Sequence, residues 1–244
     1  MKIKILSWDI LGNQNYNCNN ITAVDIKSVR EVIERENPDI CILYSYWLAY
    51  AEKLGLDKLG FECAVNYDNP ERNSRNRVLV AAKFPFSIKS APTSLKFYKK
   101  DWQELEFEIK ERKYNLLAVK VPSSFTHTLQ KQKINTVDSR GKFFQILLQR
   151  FKEYSNKATP GIIIGNFNLN QNTTYSLYLD KYSGYLTDVS SQQPNKTEYC
   201  FVNDALNGTN DIQSYAPIKK PDTEYGFRII EINRKKDKNG NDNQ

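Results

Sequence analysis

Hydrophobic and polar positions change their period several times along the chain, and each change marks an element. From Lys2 to Trp8 the residues alternate and then run apolar (Ile3, Ile5, Leu6, Trp8), which predicts a strand. Thr22 can cap a helix through its hydroxyl, after which Val29, Val32 and Ile33 fall on one helical face. That helix must end near Asn37-Pro38, because the residue before proline is pushed out of the α region. Ile40 to Tyr44 is continuously apolar, as in a strand buried on both faces. Further strands are predicted at Arg77 to Ala82, Leu105 to Ile109 and Tyr114 to Val121, the last two joined by a hairpin turn through Lys110 to Lys113.

A second helix is predicted over Arg140 to Tyr154, where Phe144, Leu147, Leu148 and Phe151 recur at helical spacing. Pro160-Gly161 then breaks the chain before a buried strand at Ile162 to Ile164, and two more strands follow at Glu198 to Val202 and Phe227 to Ile232. Polar loops are expected at Asn66 to Asn76, Phe125 to Asp138, Asn170 to Thr174 and Gly208 to Pro221. Many strands with few helices between them suit an α/β sandwich, two sheets covered by helices. No repeat or linker divides the chain, so residues 1–233 are expected to form one domain. The stretch 234–244 has almost nothing to bury and is expected to be a disordered basic tail.

Composition narrows the function classes. No stretch approaches the roughly 20 apolar residues that span a bilayer, and the opening residues turn polar too soon for a secretory leader. The expected compartment is therefore the cytoplasm, with no membrane partner. Four cysteines (Cys18, Cys41, Cys63, Cys200) are scattered without a C-x-x-C pair, and Cys41 sits within an apolar run as a core residue would. That spacing disfavours a disulfide framework or a zinc site.

Charge adds a direction. The net charge is +7, from 35 basic and 28 acidic residues. It is densest from Asn69 to Lys100, where Arg72, Arg75, Arg77, Lys83, Lys89, Lys96, Lys99 and Lys100 face a lone Glu71. Such a field attracts phosphates, although a plain solvated surface would have the same composition.

The ends of the predicted strands carry the candidate chemistry. In order they read Leu6-Ser7-Trp8-Asp9, then Pro38-Asp39-Ile40-Cys41-Ile42-Leu43-Tyr44-Ser45, then Val78-Leu79-Val80-Ala81-Ala82-Lys83-Phe84-Pro85. Leu116 to Pro122, Gly165-Asn166-Phe167-Asn168 and Pro221-Asp222-Thr223-Glu224-Tyr225-Gly226-Phe227 follow. The set resembles the endonuclease/exonuclease/phosphatase superfamily, whose corresponding motifs are S-W-N, P-D-I followed by L-Q-E, I-L-S-K-x-P, a strand ending near histidine, G-D-F-N and S-D-H. The resemblance covers residues 2 to 232 and implies the family's four-layer α/β/β/α sandwich, with a cleft where the motif-bearing strand ends converge.

Phosphodiester hydrolysis of that kind needs a carboxylate-held divalent cation, a base for the attacking water and a positive donor at the phosphate. Carried over by resemblance, the metal-ligand glutamate is Ser45, the water-activating aspartate is Asn166, the first histidine is Pro122 and the second is Thr223. A hydroxyl is a weak ligand for a hard cation, an amide cannot serve as a base, and a threonine can donate a hydrogen bond but no charge. The only histidine, His127, falls in a polar loop and is expected to face solvent. Asn168 and Asp222 match the family's residues, and Asp9 adds a carboxylate.

The expectation is therefore a catalytically impaired member that binds nucleic acid or another phosphate-bearing ligand, with Arg72, Arg75, Arg77, Lys99 and Lys100 as phosphate contacts. The candidate catalytic positions are Asn166, Asn168, Asp222 and Thr223. No cofactor is the expected state. The alternative is an active Mg- or Mn-dependent phosphodiesterase whose ion is held through waters by Asp9 and Asp222. In the rival reading Asp9 caps the turn after its strand, and Asn166 and Asn168 shape theirs. A third reading is a protein–protein interaction module.

Overall fold

In the computed structural model, residues 2–10, 25–65, 77–122, 136–168, 176–190, 198–215 and 227–235 are described. The strands are β1 (Lys2–Asp9), β2 (Ile40–Tyr46), β3 (Glu62–Val65), β4 (Arg77–Ala82), β5 (Phe86–Lys89) and β6 (Trp102–Ile109). They continue with β7 (Arg112–Lys120), β8 (Gly161–Asn166), β9 (Thr187–Asp188), β10 (Glu198–Val202), β11 (Asn210–Tyr215) and β12 (Arg228–Arg234). The helices are α1 (Ile26–Glu36), α2 (Ala51–Leu54), α3 (Thr136–Ser155), α4 (Ser176–Ser183) and α5 (Asp204–Asn207).

Two six-stranded mixed sheets result, in the orders β11-β12-β1-β2-β4-β3 and β5-β6-β7-β8-β10-β9. Side-chain alternation explains how they stack. Ile3, Ile5, Ile40, Ile42, Val78, Val80 and Ile230 from the first sheet share one buried cluster with Leu105, Phe107, Leu116, Ala118, Ile162, Ile164 and Val202 from the second. The opposite face of the first sheet (Leu6, Trp8, Cys41, Leu43) is covered by Ile26, Val29 and Ile33 of α1. The opposite face of the second (Leu117, Val119, Ile163, Phe201) is covered by Phe143, Phe144, Leu147 and Phe151 of α3, with Tyr182 of α4. The architecture is the expected α/β/β/α sandwich.

The β6–β7 hairpin turns more tightly than the charged tetrapeptide suggested. Only Lys110 and Glu111 leave the ladder, both at positive φ, and Ile109 already faces Arg112. Such a pair of left-handed residues matches the twist of the flanking strands. Four strands are absent from the hydrophobic pattern (β3, β5, β9 and β11), and all four lie at sheet edges.

The expected loop over Gly208 to Pro221 needs correction, because Asn210 to Tyr215 form the edge strand β11 on β12. Its polar sequence reflects an edge with one wet face, as its alternating exposure shows. Helix α3 starts at Thr136, inside the expected loop. α1 starts at Ile26 with Asp25 in the capping position, while Thr22 lies outside the described residues. The first two residues of the expected tail also pack. Arg234 closes β12, and Lys235 bonds to Thr209 and Asn207. No helix among the described residues is long and apolar enough to cross a membrane.

Candidate functional site

The face that packs sheet on sheet is apolar until it reaches one end of the sandwich. There β1, β7, β8, β10 and β12 each change to a polar residue without changing parity. β1 runs Ile3, Ile5, Ser7, Asp9, and β7 runs Tyr114, Leu116, Ala118, Lys120. β8 runs Ile162, Ile164, Asn166, while β10 and β12, which run the other way, begin with Glu198 and Arg228. β2 needs a device to join them. Its register against β4 shifts between Leu43 and Tyr46, and Ser45 takes a φ of 58°. This irregularity turns the Ser45 hydroxyl toward Asp9.

Asp9 is the hub of this mouth. Its carboxylate accepts from Ser45 Oγ at 2.5 Å and from Asn166 Nδ2 at 2.7 Å, and it pairs with Lys120 Nζ at 3.0 Å. Lys120 Nζ also donates to Ser45 Oγ, so the ammonium, the hydroxyl and the carboxylate close a triangle. The two charged side chains are mostly enclosed, at 17% exposure for Lys120 and 7% for Asp9.

Behind them, the Asp9 amide N–H points at Glu198 Oε1 at 3.3 Å. Glu198 as a residue keeps some contact with solvent, but protein surrounds its carboxyl. Loss of hydration raises its pKa, the Asp9 charge adds to this, and Arg228, the Asp9 amide and Lys120 oppose it. The result is a group pushed up to about 8. Tyr44 shares this pocket, accepting from Ser7 Oγ at 3.3 Å, and burial holds its phenol well above the ordinary range.

The loop after β8 is fixed by its asparagines. Asn166 Oδ1 accepts the Asn168 amide at 2.9 Å, and Asn168 Nδ2 donates to the Val121 carbonyl at 2.5 Å. Asn168 itself has a φ of 47°, and its carbonyl accepts from Arg140 of α3 at 2.8 Å.

Comparisons with family models and with curated protein sequences found no match. Solved structures do match over almost the whole chain. Danio rerio TDP2 complexed with a single-strand DNA product is 15% identical, with a TM-score of 0.64 over 95% of this chain and 99% of that one. The human Nocturnin catalytic domain with bound sulfate is 14% identical, with a TM-score of 0.62 over 96% and 95%. An endonuclease/exonuclease/phosphatase family protein from Bacteroides thetaiotaomicron is 11% identical, with a TM-score of 0.62 over 95% and 98%. This chain has the endonuclease/exonuclease/phosphatase fold.

Within that fold, Asp9, Ser45 and Asn166 meet at the mouth, with Asn168 beside them. Asp222, Thr223, His127, Arg72 and Arg75 lie outside the described residues. Asp9 does not act only on its own turn, since its carboxylate reaches across to β2, β7 and β8. Asn166 does both things expected of it, bonding Asp9 and shaping the turn to Asn168. Pro122 is buried beyond the end of β7, and the side chain that β7 presents to the mouth is Lys120, two residues earlier. Lys120, Glu198 and Arg228 are absent from the site residues read from the sequence. Their signal is parity alone, because each continues the inward-facing set of its strand.

Of the expected phosphate contacts, Arg77, Lys99 and Lys100 lie in segments at the same end. Arg77 opens β4 opposite Tyr46, the residue after Ser45. Lys99 and Lys100 are half-buried in the 3-10 helix Thr93–Asp101, which leads into Trp102 opposite Val119, the neighbour of Lys120.

A divalent ion, implied by resemblance, does not fit the residues described here. The Asp9 carboxylate already receives a hydroxyl, an amide and an ammonium, the Glu198 carboxyl is enclosed by protein, and the Asn166 amide oxygen is engaged by Asn168. Among the described residues no cluster of three or more His, Cys, Asp or Glu side chains could hold a metal.

Proposed function

We propose that this chain is a nuclease-like binding protein with impaired or absent hydrolytic activity, whose ligand is nucleic acid or another phosphate-bearing molecule held at the mouth. The observation that carries this reading is the Asp9–Ser45–Lys120 triangle. It places a positive donor at the mouth and leaves the Asp9 carboxylate occupied by donors rather than free to act as a base. A carboxylate already saturated by donors is a poor proton acceptor, and the neighbouring Asn166 amide cannot replace it. Each missing acid–base or electrostatic contribution commonly costs a factor of about 10² or more in rate.

The chain positions of Arg77, Lys99 and Lys100 support phosphate binding, since their segments lie at the end of the sheets where Ser45 and Lys120 stand. Phosphate oxygens suit guanidinium and ammonium donors, and such contacts position a backbone without reading its sequence. A protein of the same fold, Danio rerio TDP2, is seen with single-stranded DNA. The scattered cysteines, without a disulfide framework in their spacing, support action in the cytoplasm.

Fluorescence anisotropy with labelled single-stranded and duplex DNA and RNA tests the reading. Binding should weaken by about tenfold or more between 50 and 200 mM salt. The same preparation should show no turnover of these substrates with Mg²⁺ or Mn²⁺. Robust Mn²⁺-dependent cleavage, abolished by Asp222→Ala, would establish the phosphodiesterase reading instead. Absence of any nucleic-acid binding, together with a stoichiometric co-purifying protein, would favour the interaction module.

A further inference from the structure

Among the described residues the mouth brings together Asp9 and Glu198 with Lys120 and Arg228, and the charge of Asp9 is met directly by the Lys120 ammonium. The geometry around Lys120 goes further than that pairing. β7 delivers it from between β6 and β8, directly opposite Asn166 in the parallel register. Its Nζ meets Asp9 Oδ2 at 3.0 Å and the Ser45 hydroxyl, and that hydroxyl in turn donates to the other Asp9 oxygen at 2.5 Å. An ammonium is a compact point charge with three donors, and two oxygen acceptors are arranged around it much as oxygens gather round a small cation. The Ser45 positive-φ bend and the shifted β2 register aim that oxygen where the ammonium needs it.

We propose that Lys120 is the resident cation of the cleft, its ammonium taking the neutralising place of a divalent metal between Asp9 and Ser45, so that ligand binding here is independent of divalent ions. A metal approaching Asp9 would have to displace a mostly buried ammonium from its carboxylate and would meet like charge at close range. The ligand half of the proposal rests on the phosphate-binding reading above, and the cation half does not.

Titration of the full chain with Mn²⁺ alone, followed by calorimetry and water-proton relaxation, separates the two. The wild type should show no saturable site that depends on Asp9. Lys120→Met, which keeps length and removes charge, should gain one Mn²⁺ site at least about tenfold tighter than anything on the wild type. Adding Asp9→Asn should remove it. The proposal is overturned if the wild type binds one Mn²⁺ that Asp9→Asn abolishes, or if a folded Lys120→Met binds Mn²⁺ no more tightly than the wild type. The wild-type titration decides alone if Lys120→Met does not fold.

For the ligand half, single-stranded DNA affinity in EDTA should stay within about twofold of that in Mn²⁺, whereas a loss of about tenfold in EDTA overturns it. Complete absence of DNA binding would sink the phosphate-binding reading and leave the Mn²⁺ result to stand on its own.

Discussion

Asp9 and Lys120 depend on each other because neither is well hydrated once the sheets close. Truncating one side of such a pair strands the other, which usually costs more than the pair contributed. Asp9→Ala should lower stability by about 3 kcal/mol, measured by urea unfolding, because among the described residues Lys120 then keeps Ser45 alone as a side-chain partner. Lys120→Met added to Asp9→Ala should restore part of that loss, and a strictly additive double mutant would refute the coupling. Glu198 gives a pH signature at the same scale. Its folded pKa, about 8, lies above its ordinary 4.5, so the folded state keeps a proton that the unfolded chain releases. The associated stability is complete below pH 4.5 and is lost progressively as pH rises through 8, above which both states are ionised. Glu198→Gln should therefore melt with the wild type at pH 4.5 and increasingly above it toward pH 8.5. Parallel melting curves across that range would show that the group is not held protonated.

The elements around the mouth owe their positions to a few close fits. Gly165 of β8 lies against Val119 of β7, and an added Cβ would come within 2.3 Å of the Val119 carbonyl oxygen. Gly165→Ala should push β8 away from β7 and cost roughly 2–3 kcal/mol, with Asn166 displaced from Asp9. An unchanged melting temperature would contradict this close approach. Asn203 does comparable service at the opposite end of β8. It caps α5 by accepting from Leu206 N at 3.1 Å and also accepts from Gly161 N at 2.9 Å. Its amide NH₂ faces the carbonyls of Tyr154, Lys157 and Thr159 at 2.9 to 3.2 Å. Replacing it with alanine removes a cap and strands buried groups on three segments, a loss of roughly 2–4 kcal/mol in thermal unfolding. The sequence showed the apolar frame of these elements because β1, β2, β7 and β8 bury so much of their length that their pattern is unambiguous. It did not show Asn203, whose five partners depend on how α3, β8 and α5 come together. Nor did it show β11, whose edge position leaves a polar pattern that reads as loop.

At the scale of the whole molecule, the cleft was legible as a set of strand ends and illegible as a set of contacts. Asp9 meets Asn166 across 157 residues and Glu198 across 189, and neither distance leaves a mark on local pattern. Lys120 illustrates the difference, since motif spacing pointed to Pro122 while pleat parity put Lys120 at the mouth. The proposed function divides the work between the basic segments and the Asp9–Lys120 pair. Asp9 and Lys120 cancel each other's charge, so the pair adds little long-range attraction, and under that proposal the excess +7 draws in a polyanion through the rest of the surface. Each lysine that neutralises a phosphate releases counterions, which steepens the fall of log affinity with log salt by about 0.7 for a single strand. Replacing Lys99 and Lys100 together with glutamine should therefore flatten the slope for single-stranded DNA by about 1.4, provided both touch phosphates. Lys120→Met should leave the slope nearly unchanged while weakening binding at every salt concentration, since its charge is already matched by Asp9. An equal change of slope in both variants would mean that Lys120 meets the backbone as an ordinary surface charge, and that its pairing with Asp9 does not persist when ligand binds.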